Sequence, residues 1–267
     1  MAEVPPIPEP RPGPSEPPLP PTFEHSGAAI DGGPGARRGG SKQVVAIILG
    51  LALVGGAATG VFLAGRSTKR DAKRPISTVI PAGWTTYTKS ADGFRLGLPQ
   101  GWDDIEPGEV DNALKGLREE NAELADLIGQ QVEGSLSDVI RFFALDGESP
   151  TLEQGFATNV SVVVEPDLPG GLEFATYINA NLAQLRKVPG VDITEEDREV
   201  ALAGGKAALI KSHLTLNTPA GAQVVAVTQY IWLDGDRGLI LSMTTTPEHE
   251  ATYASLFEQI ANTFQAL

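Results

Sequence analysis

Three histidines, 34 acidic side chains and no cysteine are the raw material for chemistry in this 267-residue chain. The missing cysteine removes disulfides, thiol catalysis, a lipidated-cysteine anchor and Cys-ligated zinc. His25 lies in a proline-rich stretch. His213 shares the polar face of an alternating segment with Lys211 and Thr215, where solvent exposure is expected. His249-Glu250 opens like a zinc helix of the H-E-x-x-H type but lacks the second histidine. Asp103, Asp104 and Glu106 could ligate a hard cation such as calcium. Their spacing is not that of an EF-hand, so a solvated acidic loop is expected. Glu195, Glu196 and Asp197 read as a surface turn. The chain carries no Gly-x-Ser-x-Gly elbow, phosphate loop or dinucleotide fingerprint. These residues predict no catalytic site, no metal and no cofactor.

Charge narrows the partners. Residues 76–267 hold 11 Lys and Arg against 28 Asp and Glu, a net of −17. Such a surface repels phosphate backbones, so nucleic acid is not an expected partner.

The elements that must position any site are organised around residues 44–65, 22 positions without a charge. At about 1.5 Å per residue a helix of this length reaches roughly 33 Å, enough for a bilayer core of ~30 Å. One transmembrane helix is expected there. Ala52, Gly56, Gly60 and Ala64 recur on one of its faces, a spacing that lets two helix backbones approach, so a homodimer through the span is a possible outcome.

Residues 1–43 hold a disordered Pro/Gly-rich tail; the first 21 contain ten prolines. Arg11, Pro14 and Pro17 match a ligand pattern for SH3-like grooves, though a spacer is the default in a stretch this rich in proline. Residues 66–79 form a basic juxtamembrane linker with Arg66, Lys69, Arg70, Lys73 and Arg74. Counted alone, these charges place the C-terminal side in the cytoplasm. The long uncleaved tail before a single anchor favours the opposite layout, tail inside and domain outside.

Residues 80–267 form the folded domain. Residues 84–88 and 94–98 read as strands joined by the turn Ala91-Asp92-Gly93. Residues 107–131 read as a helix, with Val110, Leu114, Leu117, Leu124 and Ile128 on one face and Asn121 in the same row. Strands follow at 138–145 and 158–164. Asn159-Val160-Ser161 spells a glycosylation sequon inside the second of these. A helix over 171–187 puts Leu172, Ala175, Ile178, Leu182 and Leu185 together. Strands are expected near 192–200, 206–216, 223–233 and 238–246, with a hairpin turn at Asp234-Gly235-Asp236-Arg237-Gly238. A last helix at 248–265 aligns Tyr253, Leu256, Phe257, Ile260 and Phe264. Alternating strands joined by hairpins predict an α+β fold, an antiparallel sheet covered by helices.

The run G-F-x-L-x-x-P-x-G-W at residues 93–102, and the order of elements after it, resemble the PsbP-like α/β/α sandwich. That fold is shared by photosystem PsbP proteins, the Ran-binding Mog family and bacterial envelope proteins such as the LpqN group. The resemblance covers about residues 84–267. It implies fold roles, not catalytic ones, for Phe94, Pro99, Gly101 and Trp102, with Trp102 ending the second strand. It also implies a non-catalytic binding module at a bacterial, actinobacterial-type envelope, with an envelope protein or component as partner; the membrane anchor is read from residues 44–65 themselves. The alternative is a small-ligand or lipid carrier, or an enzyme with an unrecognised site, using a pocket between sheet and helices.

Overall fold

The computed structural model describes residues 79–106, 140–150, 156–218 and 221–267. The expected tail and span and the basic side chains of the linker lie outside them, as do Ala52, Gly56, Gly60, Ala64 and the helix expected at 107–131. No helix among the described residues is long and apolar enough to cross a membrane.

Among the described residues, ten strands form two sheets. The larger has the order β3-β4-β5-β9-β8-β7-β6 and the smaller the order β1-β2-β10. In the larger sheet the strands are β3 (Trp102–Asp104), β4 (Ile140–Asp146), β5 (Asn159–Glu165), β6 (Val191–Leu202), β7 (Gly205–Thr218), β8 (Gly221–Asp234) and β9 (Arg237–Thr245). The smaller contains β1 (Thr85–Lys89), β2 (Phe94–Leu98) and β10 (Gln265–Ala266). Every pairing in both sheets is antiparallel. The hairpin between β8 and β9 closes on the pair Asp234 and Arg237, leaving Gly235-Asp236 as its loop. Gly235 takes φ +68°, a left-handed conformation open to glycine at little cost.

Alternation divides the larger sheet into two faces. Helix α1 (Phe174–Leu185) covers one, where Ile178, Leu182 and Leu185 join Val163, Ile210, Val227, Ile231 and Ile240. Helix α2 (Glu250–Thr263), entered through a 3₁₀ turn at Pro247–His249, covers part of the other. The smaller sheet covers a further part: Phe94, Leu96 and Leu98 of β2 pack with Phe257, Ile260 and Phe264 against Val162, Trp232 and Leu241. The expected helical cover is therefore corrected on this face, which is shared between a helix and a second sheet. Each of the three β2 side chains is fully buried, contributing about 1.5–3 kcal/mol.

Trp102 is also corrected. It does not end the second strand; it opens β3, opposite Asp146 of β4 in the other sheet. Gly101, at φ +86°, makes the turn between the sheets, and its carbonyl accepts the Gly147 N–H at 2.9 Å. A side chain at φ near +86° would be strained, which is the local reason for glycine.

The two sheets are tied by α2. Thr263 Oγ1 accepts the Gly97 N–H at 2.9 Å and lies 2.6 Å from the Ile260 carbonyl, to which it donates. The Tyr253 hydroxyl donates to Asp146 Oδ2 at 2.6 Å, fixing the helix start to β4.

Candidate functional site: a groove between helix α2 and strands β6–β8

A half-open groove of about 460 Å³ lies between α2 and strands β6–β8, and just past the end of β6 the two meet, where Asn262 Oδ1 accepts the Ala203 N–H at 3.1 Å. The groove floor comes from the sheet. Leu209 of β7 and Tyr230 of β8 are directly opposed, and one row further on Lys211 opposes both Glu195 of β6 and Thr228 of β8. Val200 and Leu202 of β6 extend the apolar floor. The far wall is α2, where Glu250, Ala254 and Glu258 recur every fourth residue and so share a face. Ser255 and Phe257 complete it.

Two of the three carboxylates are engaged. Lys211 Nζ lies 2.7 Å from Glu195 Oε2, and His213 Nε2 lies 3.0 Å from Glu250 Oε2. Tyr230 is 5 % exposed, and its hydroxyl makes no hydrogen bond among the described residues. Burial pushes this phenol up to about 12, and the charges of Glu258 and Glu195 add to the effect. It stays a protonated hydroxyl at any physiological pH.

Strand β6 walls the groove as a sheet edge. Its pairing with β7 shifts twice, between Ile193 and Glu195 and between Asp197 and Val200. Such bulges twist an edge away from further strand pairing. Glu195, Glu196 and Asp197 lie within this strand, not in the expected surface turn. Glu196 receives Arg186 and Arg198, each at 2.6 Å.

The other sequence candidates are dispersed. Phe94 is fully buried in β2 and Trp102 6 % exposed in β3, both in the core on the α2 side, with Pro99 half-buried between them. Asp103, Asp104 and Glu106 are exposed, and no group of three potential metal ligands forms among the described residues. His213 is not on open surface as expected: it is one-third exposed, because Glu250 of α2 closes over it. His249 Nδ1 lies 2.9 Å from Thr246 Oγ1 in the turn leading into α2. Asn159 and Ser161 of the sequon are fully buried in β5. Sequence reasoning missed Tyr230, Glu250 and Glu258 as groove residues. The i, i+4, i+8 acidic-small-acidic row Glu250, Ala254, Glu258 was the available signal.

Fold and site together define an antiparallel α+β domain of stacked layers with an acidic-rimmed groove beside one helix. No protein-family model matches the chain, and no curated protein matches its sequence. Among solved structures, it is similar to cyanobacterial PsbP (CyanoP) from Synechocystis sp., at 13% identity and a TM-score of 0.45, over 72% of this chain and 96% of that one. It is also similar to LpqN, involved in cell envelope biogenesis of Mycobacterium tuberculosis, at 12% identity and a TM-score of 0.39, over 64% and 82%. The Saccharomyces cerevisiae Ran-binding protein Mog1p aligns at 12% identity and a TM-score of 0.37, over 68% and 95%.

Proposed function

We propose that this chain is a single-pass membrane protein whose domain, residues 80–267, is a non-catalytic binding module on the outer side of a cell envelope. The groove between α2 and β6–β8 carries the reading. Its lining offers carboxylates, one ammonium group, two aliphatic hydroxyls, a phenol and apolar side chains, which are groups that hold a ligand. It is open along one side, which suits a docking segment. A lipid carrier instead needs an enclosed apolar cavity that buries most of its ligand. The uncharged run at 44–65 supports the anchor, and the tail before it supports the orientation with the domain outside.

The test is site-specific photo-crosslinking with the full chain in its own membrane. A crosslinker at Ser255, exposed on the groove wall, should give discrete adducts. One at Glu173, exposed beside α1 on the other side of the sheet, should not. Equal adducts at both positions would mean that the groove is no docking site.

A further inference from the structure

We propose that the groove takes an extended basic segment of a partner protein, with one arginine or lysine at the Tyr230 hydroxyl and paired with Glu258. The proposal rests on the groove being the docking site of the module and adds the chemistry of its occupant.

Charge complementarity comes first. The groove presents Glu195, Glu250 and Glu258 against Lys211 alone. Glu195 is already held by Lys211, and Glu250 by His213. The Glu258 carboxylate has no ion-pair partner among the described residues. It is the anionic position left for an incoming cation.

Tyr230 is the second, independent observation. Its ring is buried in the groove floor, while its hydroxyl opens to the groove and has no hydrogen-bond partner among the described residues. An unpaired phenol at a groove floor is satisfied only by water or by a ligand group that can accept or donate. A phenol oxygen can accept a hydrogen bond from a guanidinium or ammonium group. Glu258 and Glu195 both act electrostatically on this hydroxyl, so a cation placed there lies in the field of both. An anionic ligand would meet the same carboxylates as repulsion.

Shape decides for a peptide over a small amine. From Glu250 to Glu258 is eight residues of helix, about 12 Å at 1.5 Å per residue. Three or four extended residues at roughly 3.3 Å each fill that length. Val200, Leu202, Leu209 and Phe257 accept the apolar side chains between basic ones. The bulged β6 edge disfavours strand addition, so side chains and not ladder hydrogen bonds make the contact.

Fluorescence anisotropy on the full chain in detergent tests this, using a fluorescein-labelled Arg-Leu-Arg-Leu peptide and its citrulline counterpart, which keeps shape and loses charge. The citrulline peptide should bind about tenfold more weakly, the equivalent of about 1.4 kcal/mol. Glu258→Gln should weaken the arginine peptide by a similar factor. Glu199→Gln, which removes one negative charge from β6 and not from α2, should change it less than twofold. Ala254→Trp should fill the groove and abolish binding. Equal affinity for both peptides overturns the proposal, and so does an equal loss with Glu199→Gln, which would mark bulk attraction to an acidic protein. Crosslinking at Ser255 with no arginine-peptide binding would retain the docking site and reject the ligand class. Absence of crosslinking there would reject the docking site itself.

Discussion

The Tyr177 hydroxyl of α1 donates a 2.6 Å hydrogen bond to Glu165 Oε2 at the end of β5, and both side chains are buried. Glu165 sits opposite Gly238 of β9, and the missing Cβ there is what makes room for the pair. Burial raises the Glu165 carboxyl from 4.5 to about 7, and the Tyr177 hydrogen bond only partly offsets it.

That shift gives a pH dependence of known sign. The folded state holds the Glu165 proton more tightly than the unfolded state. The contribution is therefore fully present below about pH 4.5 and is lost as pH rises through about 7. At about 1.4 kcal/mol per pKa unit, the loss is on the order of 3 kcal/mol. Urea midpoints of wild type and Glu165→Gln, measured from pH 4 to 8, should diverge across this window, with the variant flatter. Parallel curves would remove Glu165 as the titrating group.

Gly238→Ala should be destabilising through the same pair. A Cβ at this position overlaps the Tyr177 hydroxyl and comes within 2.9 Å of Glu165 Oε2. Displacing the phenol costs about 1–3 kcal/mol. A Tyr177→Phe background removes the overlap with the hydroxyl and leaves that with Cζ, so the clash is partly relieved and the two changes should be less than additive in chemical denaturation. Full additivity would show that the alanine is accommodated some other way.

Trp102→Ala should cost about 3–5 kcal/mol, because it empties a packed site between the sheets. The side chain is 6 % exposed and joins the core with Leu98 and Phe142. Trp84 and Trp232 remain as fluorescence reporters of unfolding. A midpoint shift worth less than about 1 kcal/mol would place Trp102 on the surface.

Topology has its own check. Protease added to intact spheroplasts should digest residues 76–267 and spare the tail. Survival of the domain with loss of the tail would reverse the orientation, in agreement with the count of basic residues on either side of the span.

The β6–β9 meander was legible because each strand alternates and its turns are spelled by glycine and aspartate. The antiparallel pairing followed from those hairpins. Trp102 was misread because Pro99-Gln100-Gly101 looks like a strand ending, and nothing local says that the next residue joins another sheet. Tyr177 and Asn181 were left out of the α1 apolar row, although both are buried and Ala175 is exposed. Polar side chains enter a core when a partner waits there, and the Tyr177 partner is twelve residues earlier in another element. The groove was illegible for a similar reason. It is a gap between α2 and the sheet, and a gap has no residues of its own to read.

The smaller sheet also sets a schedule. β2 is completed by β10, whose residues Gln265 and Ala266 pair with Arg95 and Phe94. Gly97 waits 166 positions for Thr263, and the Gly93 carbonyl waits for the Leu267 N–H. Contacts this distant must be made after loop closure has been met, which slows folding. At about 5–20 residues per second, the ribosome spends roughly 8–35 seconds between making Gly97 and Thr263. Throughout that interval Phe94, Leu96 and Leu98 lack their cover. A chain secreted while it is being synthesised would therefore cross the membrane unfolded and acquire its domain only on the far side.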